Sequence, residues 1–127
     1  MPTYQTKAFR RFARKEAISD EALLAAVEDV HAGNADADLG GGVFKQRVAR
    51  PGGGKSGGFR TVILHRDGDR FVFAYGFAKS DKANIDDTEL KALRELSKLY
   101  AAFTEAQIKA AIAAGELVEV VEVEGGK

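Results

Sequence analysis

Between residues 43 and 79 three runs rich in β-branched and aromatic residues alternate with two turn-forming stretches, and this pattern restricts the fold more than any other part of the chain. The runs cover residues 43–49, 59–66 and 71–79 and read as strands, because such side chains suit a pleated, half-buried surface. Arg66-Asp67-Gly68-Asp69 separates the last two. An Asp-Gly pair supplies the positive φ of a tight hairpin, so these strands are expected to be antiparallel neighbours. The first two are joined by Arg50-Pro51-Gly52-Gly53-Gly54-Lys55-Ser56-Gly57-Gly58. Five glycines permit tight, positive-φ geometry there, while Lys55 and the flanking Arg50 and Arg60 project as cations suited to a phosphate backbone.

Helices are expected on both sides of this block. Phe9, Phe12 and Ala13 recur at helical spacing within a basic start (Lys7, Arg10, Arg11, Arg14, Lys15). No apolar signal core follows, so an amphipathic helix is a better reading than a transit peptide. Ser19 is a good N-cap for a second helix carrying Leu23, Leu24, Val27 and Val30, which stops near Gly33 and Asn34. The chain is thus expected to open with two consecutive helices, followed by a glycine-rich loop at 36–42. A third helix carries Leu90, Leu93, Leu96 and Tyr100 after Asp86 or Asp87, and a fourth begins at the capping box Thr104/Gln107, with Phe103 and Ile108 as a hydrophobic staple. Gly115 can end it, and residues 117–123 alternate as an edge strand before a frayed Gly125-Gly126-Lys127. At 127 residues, with no internal repeat, the whole chain 1–127 reads as one α/β (α+β) domain.

Net charge is zero, yet the charges are segregated. Residues 45–82 carry nine Lys and Arg against three Asp, whereas residues 1–44 sum to −2 and residues 83–127 to −4. A positive middle third is the footprint expected for a polyanion, although charge also defends sheet edges. The absence of cysteine removes disulfide and thiolate-metal options and fits a reducing cytoplasm. No apolar run is long enough to span a bilayer, so no membrane association is expected. Two isolated histidines without a carboxylate cluster argue against a metal site, and no cofactor motif stands out. Gly54-Lys55-Ser56 is not a phosphate-binding P-loop, because that motif's first glycine would fall at Ala49 and a strand follows where a helix is needed.

The segment LGGGVFKQRVARPGGGKSGGFRTVILHRDGDRFVFAYGFAKSDKANIDDTELKAL, residues 39–93, closely resembles the RelE/HigB family of type II toxins from bacterial toxin–antitoxin systems. The K-S-G-G-F-R and Y-G-F-A-K-S-D-K-A-N-I blocks carry the resemblance. It implies an N-terminal helix pair packed on a small twisted antiparallel sheet, with helices on one face and further C-terminal helices. The activity it implies is an mRNA interferase, a ribosome-dependent endoribonuclease that inhibits translation. It also implies a cognate antitoxin encoded alongside, a helix-turn-helix DNA-binding protein. Arg60 matches the family's strand arginine, and Lys55 and Lys79 match catalytic or RNA-contacting positions. Arg47 on the first strand is a further RNA contact, with Arg50 and Lys82 adding cations in the same basic segment. The acidic last third departs from the strongly basic character of many relatives.

The chemistry of RNA fits this set. A 2′-hydroxyl can attack the adjacent phosphate, so a protein need only align the backbone, stabilise the phosphorane charge and move protons, without metal. Crowding by other cations lowers a lysine's pKa, which makes Lys55 a candidate base as well as an electrostatic contact. Strand alternation sets Arg60, Val62, Leu64 and Arg66 on one face and Phe59, Thr61, Ile63 and His65 on the other, so His65 is a hairpin-end polar residue more readily than a base. His31 suits the C-terminal dipole of the second helix. Phe71, Phe73, Tyr75 and Phe77 should share one face with Lys79, mostly as core, with Phe77 nearest the basic end and open to a base. Two rivals use the same fold: a ParE-like inhibitor of DNA gyrase, and a non-cutting homologue that only binds its antitoxin.

Overall fold

The computed structural model describes residues 1–49, 58–66, 68–78 and 85–121. In chain order the elements are β1 (Thr3–Thr6), α1 (Lys7–Lys15), α2 (Asp20–His31), β2 (Ala37–Asp38), β3 (Val43–Val48), β4 (Phe59–Leu64), β5 (Phe71–Ala78), α3 (Asp87–Ala102), α4 (Glu105–Ala113) and β6 (Leu117–Glu119). Each helix starts where a side chain satisfies a first-turn amide. Thr6 and Ser19 accept from Phe9 and Ala22, and Asp86/Glu89 and Thr104/Gln107 form reciprocal capping boxes. None of these helices is long and apolar enough to cross a membrane.

One sheet has the order β2-β3-β4-β5-β1-β6. It is mixed, which corrects the antiparallel expectation: β3, β4 and β5 form an antiparallel meander, but β1 runs parallel to β5 with Tyr4 opposite Val72. The chain therefore opens with a strand, and that strand lies between β5 and β6 rather than at an edge.

Helices cover both faces, not one. Phe9 and Ala13 of α1 and Leu23, Val27 and Val30 of α2 are buried with Phe59, Ile63, Phe71 and Phe73. On the opposite face Ile108 and Ala111 of α4 are buried with Tyr4, Val62, Leu64 and Val72, and Leu90, Leu93, Leu96 and Tyr100 of α3 pack against them half-exposed. Two layers of helix against a central sheet give the chain an apolar cluster on each face of that sheet.

A β-bulge redirects β5. Val62 pairs with Tyr75 but Ile63 pairs with Phe73, leaving Ala74 as an extra residue. The expected single aromatic stripe is thereby split: Phe71 and Phe73 join the α1/α2 cluster, whereas Tyr75 joins the α3/α4 side. Gly76 then faces α1 so closely that a Cβ would lie 2.6 Å from the Phe12 ring. Thr6 fixes the bulge, its hydroxyl donating to the Ala74 carbonyl at 3.3 Å while accepting from Phe9 N at 3.1 Å.

Candidate nucleic-acid interface

Arg47 and Arg60 stand directly opposite each other across the β3/β4 ladder, and Lys45 is two residues along β3 on the same face. Like charges in direct cross-strand register destabilise a sheet, so the pairing asks for an anion. Asp36 supplies part of the answer. Its Oδ2 accepts from Arg47 N at 2.6 Å and from Arg47 Nε at 3.2 Å. Asp36, Lys45, Arg47 and Arg60 together line a hollow of about 250 Å³. Arg60 Nη1 is enclosed and has no hydrogen-bond partner among the described residues. An enclosed guanidinium nitrogen without an acceptor is costly unless an oxygen arrives from a ligand.

Buried and half-buried hydrogen bonds brace the scaffold beneath this hollow. Gln46, 2% exposed, accepts from Asp36 N at 2.9 Å and donates to Asp29 of α2 at 3.3 Å. The Thr61 hydroxyl donates to the Gln46 carbonyl at 2.7 Å. The backbone of Arg47 is thus held from the helix side and the strand side at once. Gly58 leads into β4 against the Val48 carbonyl, which a Cβ would approach to 2.1 Å, so no other residue fits two positions before Arg60.

Lys55, Arg50, Lys79 and Lys82 lie outside the described residues. Val48, Phe59 and Ala78 are consecutive partners across the sheet, and residues 50–57 and 79–84 connect to that same end, where Arg47 and Arg60 lie. Phe77 is a register partner of Arg60 but is 5% exposed, so its ring is packed and not open to a base as expected. Tyr75, half-exposed and 5.6 Å from Phe77 between ring centroids, is the accessible aromatic beside the cations. Sequence reasoning also left out Lys45 and Asp36. The Lys45-Gln46-Arg47 spacing of two carries the signal for the first, whereas nothing local marks Asp36.

Not every cation of the basic segment belongs to this surface. Arg70 donates to the Tyr100 and Phe103 carbonyls at 2.7 and 2.9 Å and pairs with Glu105 at 3.0 Å, closing the C-terminus of α3. Arg66 reaches the Arg94 carbonyl at 3.4 Å. His65 lies on the face away from Arg60, stacked on Phe71 at 3.9 Å with Nδ1 3.0 Å from the Arg70 carbonyl oxygen. His31, exposed at the end of α2, meets Phe71 edge-on at 6.2 Å. Among the described residues no three His, Asp or Glu gather where they could hold a metal ion.

Such a surface can grip a phosphate chain between two guanidinium groups and an ammonium. No curated protein matches the chain. A family model described as the RelE toxin of the RelE/RelB toxin–antitoxin system matches residues 1–120. The match takes in every strand and helix described above, and the chain belongs to the RelE toxin family of toxin–antitoxin systems.

Proposed function

We propose that this toxin is a ribosome-dependent endoribonuclease that cuts messenger RNA at the Arg47–Arg60 face and is held in check by a helix-turn-helix antitoxin. The observation that carries the reading is the direct register of Arg47 and Arg60, with an enclosed Arg60 Nη1 that has no hydrogen-bond partner among the described residues, beside Lys45. In the reaction the 2′-oxygen bonds to the adjacent phosphorus and the 5′-oxygen of the next nucleotide leaves. The 2′-proton passes to a base and a proton returns to the leaving oxygen. The products are a 2′,3′-cyclic phosphate and a 5′-hydroxyl. Arg60 and Arg47 stabilise the charge that builds on the non-bridging oxygens, which is the electrostatic part of the barrier. Lys55 and Lys79 complete the set from segments that join the sheet at the same end, Lys55 as the candidate base and Lys79 as a second phosphate contact. Arg50 and Lys82 extend the grip along the strand, and Asp36 orients Arg47.

Induction of the toxin alone should arrest translation, and primer extension on translated messages should reveal new ends in frame. The ends should carry 2′,3′-cyclic phosphates and persist in EDTA under conditions that keep ribosomes intact. A 3′-hydroxyl end would overturn the mechanism. Continued translation with inhibited gyrase would mean a ParE-like toxin.

A further inference from the structure

A second cationic surface lies on the other side of the sheet. Of the nine residues of α1, Lys7, Arg10, Arg11, Arg14 and Lys15 are basic and none is acidic. At 3.6 residues per turn these five fall within an arc of about 140°. Phe9 and Ala13 occupy the opposite arc and are buried against β4 and β5, on the face away from Arg60. Lys7, Arg11, Arg14 and Lys15 are exposed, and Arg10 has one distant carboxylate, Asp20, at 4.0 Å. Among the described residues the other four have none.

Helix stability does not account for this arrangement. Lys7/Arg11, Arg10/Arg14 and Arg11/Lys15 are like charges at i,i+4, and each such pair weakens a helix by a few tenths of a kcal/mol. Lys7 at the first helical position also opposes the macrodipole, although Arg14 and Lys15 suit its far end. The helix is held by its aromatic underside, so the cations are free to serve a partner. That face offers no apolar anchor, since Phe9 and Ala13 are buried and Phe12 packs on Phe59 and against Gly76. Protein interfaces depend on buried aromatic or aliphatic anchors, whereas nucleic-acid backbones are bound by charge alone. Successive cations one turn apart, about 5.4 Å along the axis, give a row rather than a point.

We infer that the outer face of α1 binds the phosphate backbone of a second, folded RNA segment, distinct from the strand held at Arg47 and Arg60. The inference rests on the proposed ribosomal site of action, and it gives the toxin one RNA contact on each face of its sheet.

The test compares wild type with the fourfold variant Lys7→Gln, Arg11→Gln, Arg14→Gln, Lys15→Gln, using purified bacterial ribosomes and, separately, a short unstructured RNA oligonucleotide. Affinity for ribosomes should fall on the order of tenfold or more, and the slope of log K against log salt should shrink by about 3, as expected for four lost phosphate contacts. Oligonucleotide binding should be unchanged. The charge-retaining set Lys7→Arg, Arg11→Lys, Arg14→Lys, Lys15→Arg should keep ribosome affinity and melt with wild type, and the glutamine variant, relieved of its like-charge pairs, should melt no lower than wild type. Equal affinity and slope in the fourfold glutamine variant overturn the inference, as does loss of antitoxin binding in its place. If wild type itself neither binds ribosomes nor cuts, the functional proposal falls as well. If wild type does both and the glutamine variant is indistinguishable from it, only this inference falls.

Discussion

Two guanidinium groups facing each other across a ladder lose stability to repulsion, and here Asp36 pairs with the Arg47 side. Arg60 therefore contributes little to holding the fold, and its enclosed Nη1 gains an acceptor when a phosphate oxygen enters. Arg60→Ala should lower cleavage by about 10²–10³-fold, the usual loss for one preorganised charge contact. Its stability in urea should stay within about 0.5 kcal/mol of wild type. His65 gives the opposite pattern. Stacked on Phe71 and bonded to the Arg70 backbone at the hairpin, it holds the turn from the face away from the cations. His65→Ala should keep its cleavage rate per folded molecule while losing about 0.5–1.5 kcal/mol, the worth of an aromatic pair. A folded but inactive His65→Ala beside an Arg60→Ala that cuts normally would put the active face on the wrong side of the sheet.

At the scale of elements, α3 buries only Ser97 outright and depends on polar ties to the glycine turn before β3. Gly40, Gly41 and Gly42 all have positive φ, and Arg94 donates to the Leu39 and Gly40 carbonyls while the Ser97 hydroxyl donates to Gly42 O at 2.9 Å. A Cβ on Gly42 would lie 2.5 Å from Ser97 Oγ and 2.9 Å from the His65 carbonyl oxygen, at φ +77. Gly42→Ala should destabilise by about 1–3 kcal/mol in denaturant titration, through backbone strain and displacement of α3. The glycines could be read as a loop from sequence, but not as a seat for a helix fifty residues later. The same locality decides what else was legible. Caps at Ser19 and Thr104, the antiparallel return from β4 to β5 and the alternation that sets Arg60 against His65 are all encoded within a few residues. β1 is four residues containing Gln5, which is 0% exposed with neither side-chain polar atom partnered among the described residues. Its strand character comes from β5 and β6, distant in sequence, and no local pattern announces it. The bulge at Ala74 and the register that sets Arg47 opposite Arg60 likewise depend on pairing with β4, which alternation within one strand does not fix.

Over the whole molecule a formal charge of zero conceals a division of labour. The β3/β4 face and the outer arc of α1 gather cations, while Arg70 closes the end of α3 on the acidic C-terminal side. That acidic side has a consequence at high pH. Burial raises the Tyr4 phenol above its ordinary value, with Glu105 and Glu119 adding to the effect, and burial with Glu116 raises Tyr100. Both rings belong to the layer between the sheet and the helices α3 and α4. A phenol that ionises later in the folded chain than in the unfolded one keeps its proton longer when folded. Its stabilising contribution is complete below about pH 10, the unfolded value, and is lost as pH rises through the higher folded value. Unfolding midpoints should consequently be insensitive to these two groups from neutrality to about pH 9, then decline above about pH 10. Lysines titrate in the same range, so the comparison is with Tyr4→Phe/Tyr100→Phe, which lacks both phenols but retains every lysine. The double variant should lose stability less steeply above pH 10 than wild type. An identical alkaline slope in the two proteins would show that these phenols ionise in the folded layer as readily as in water.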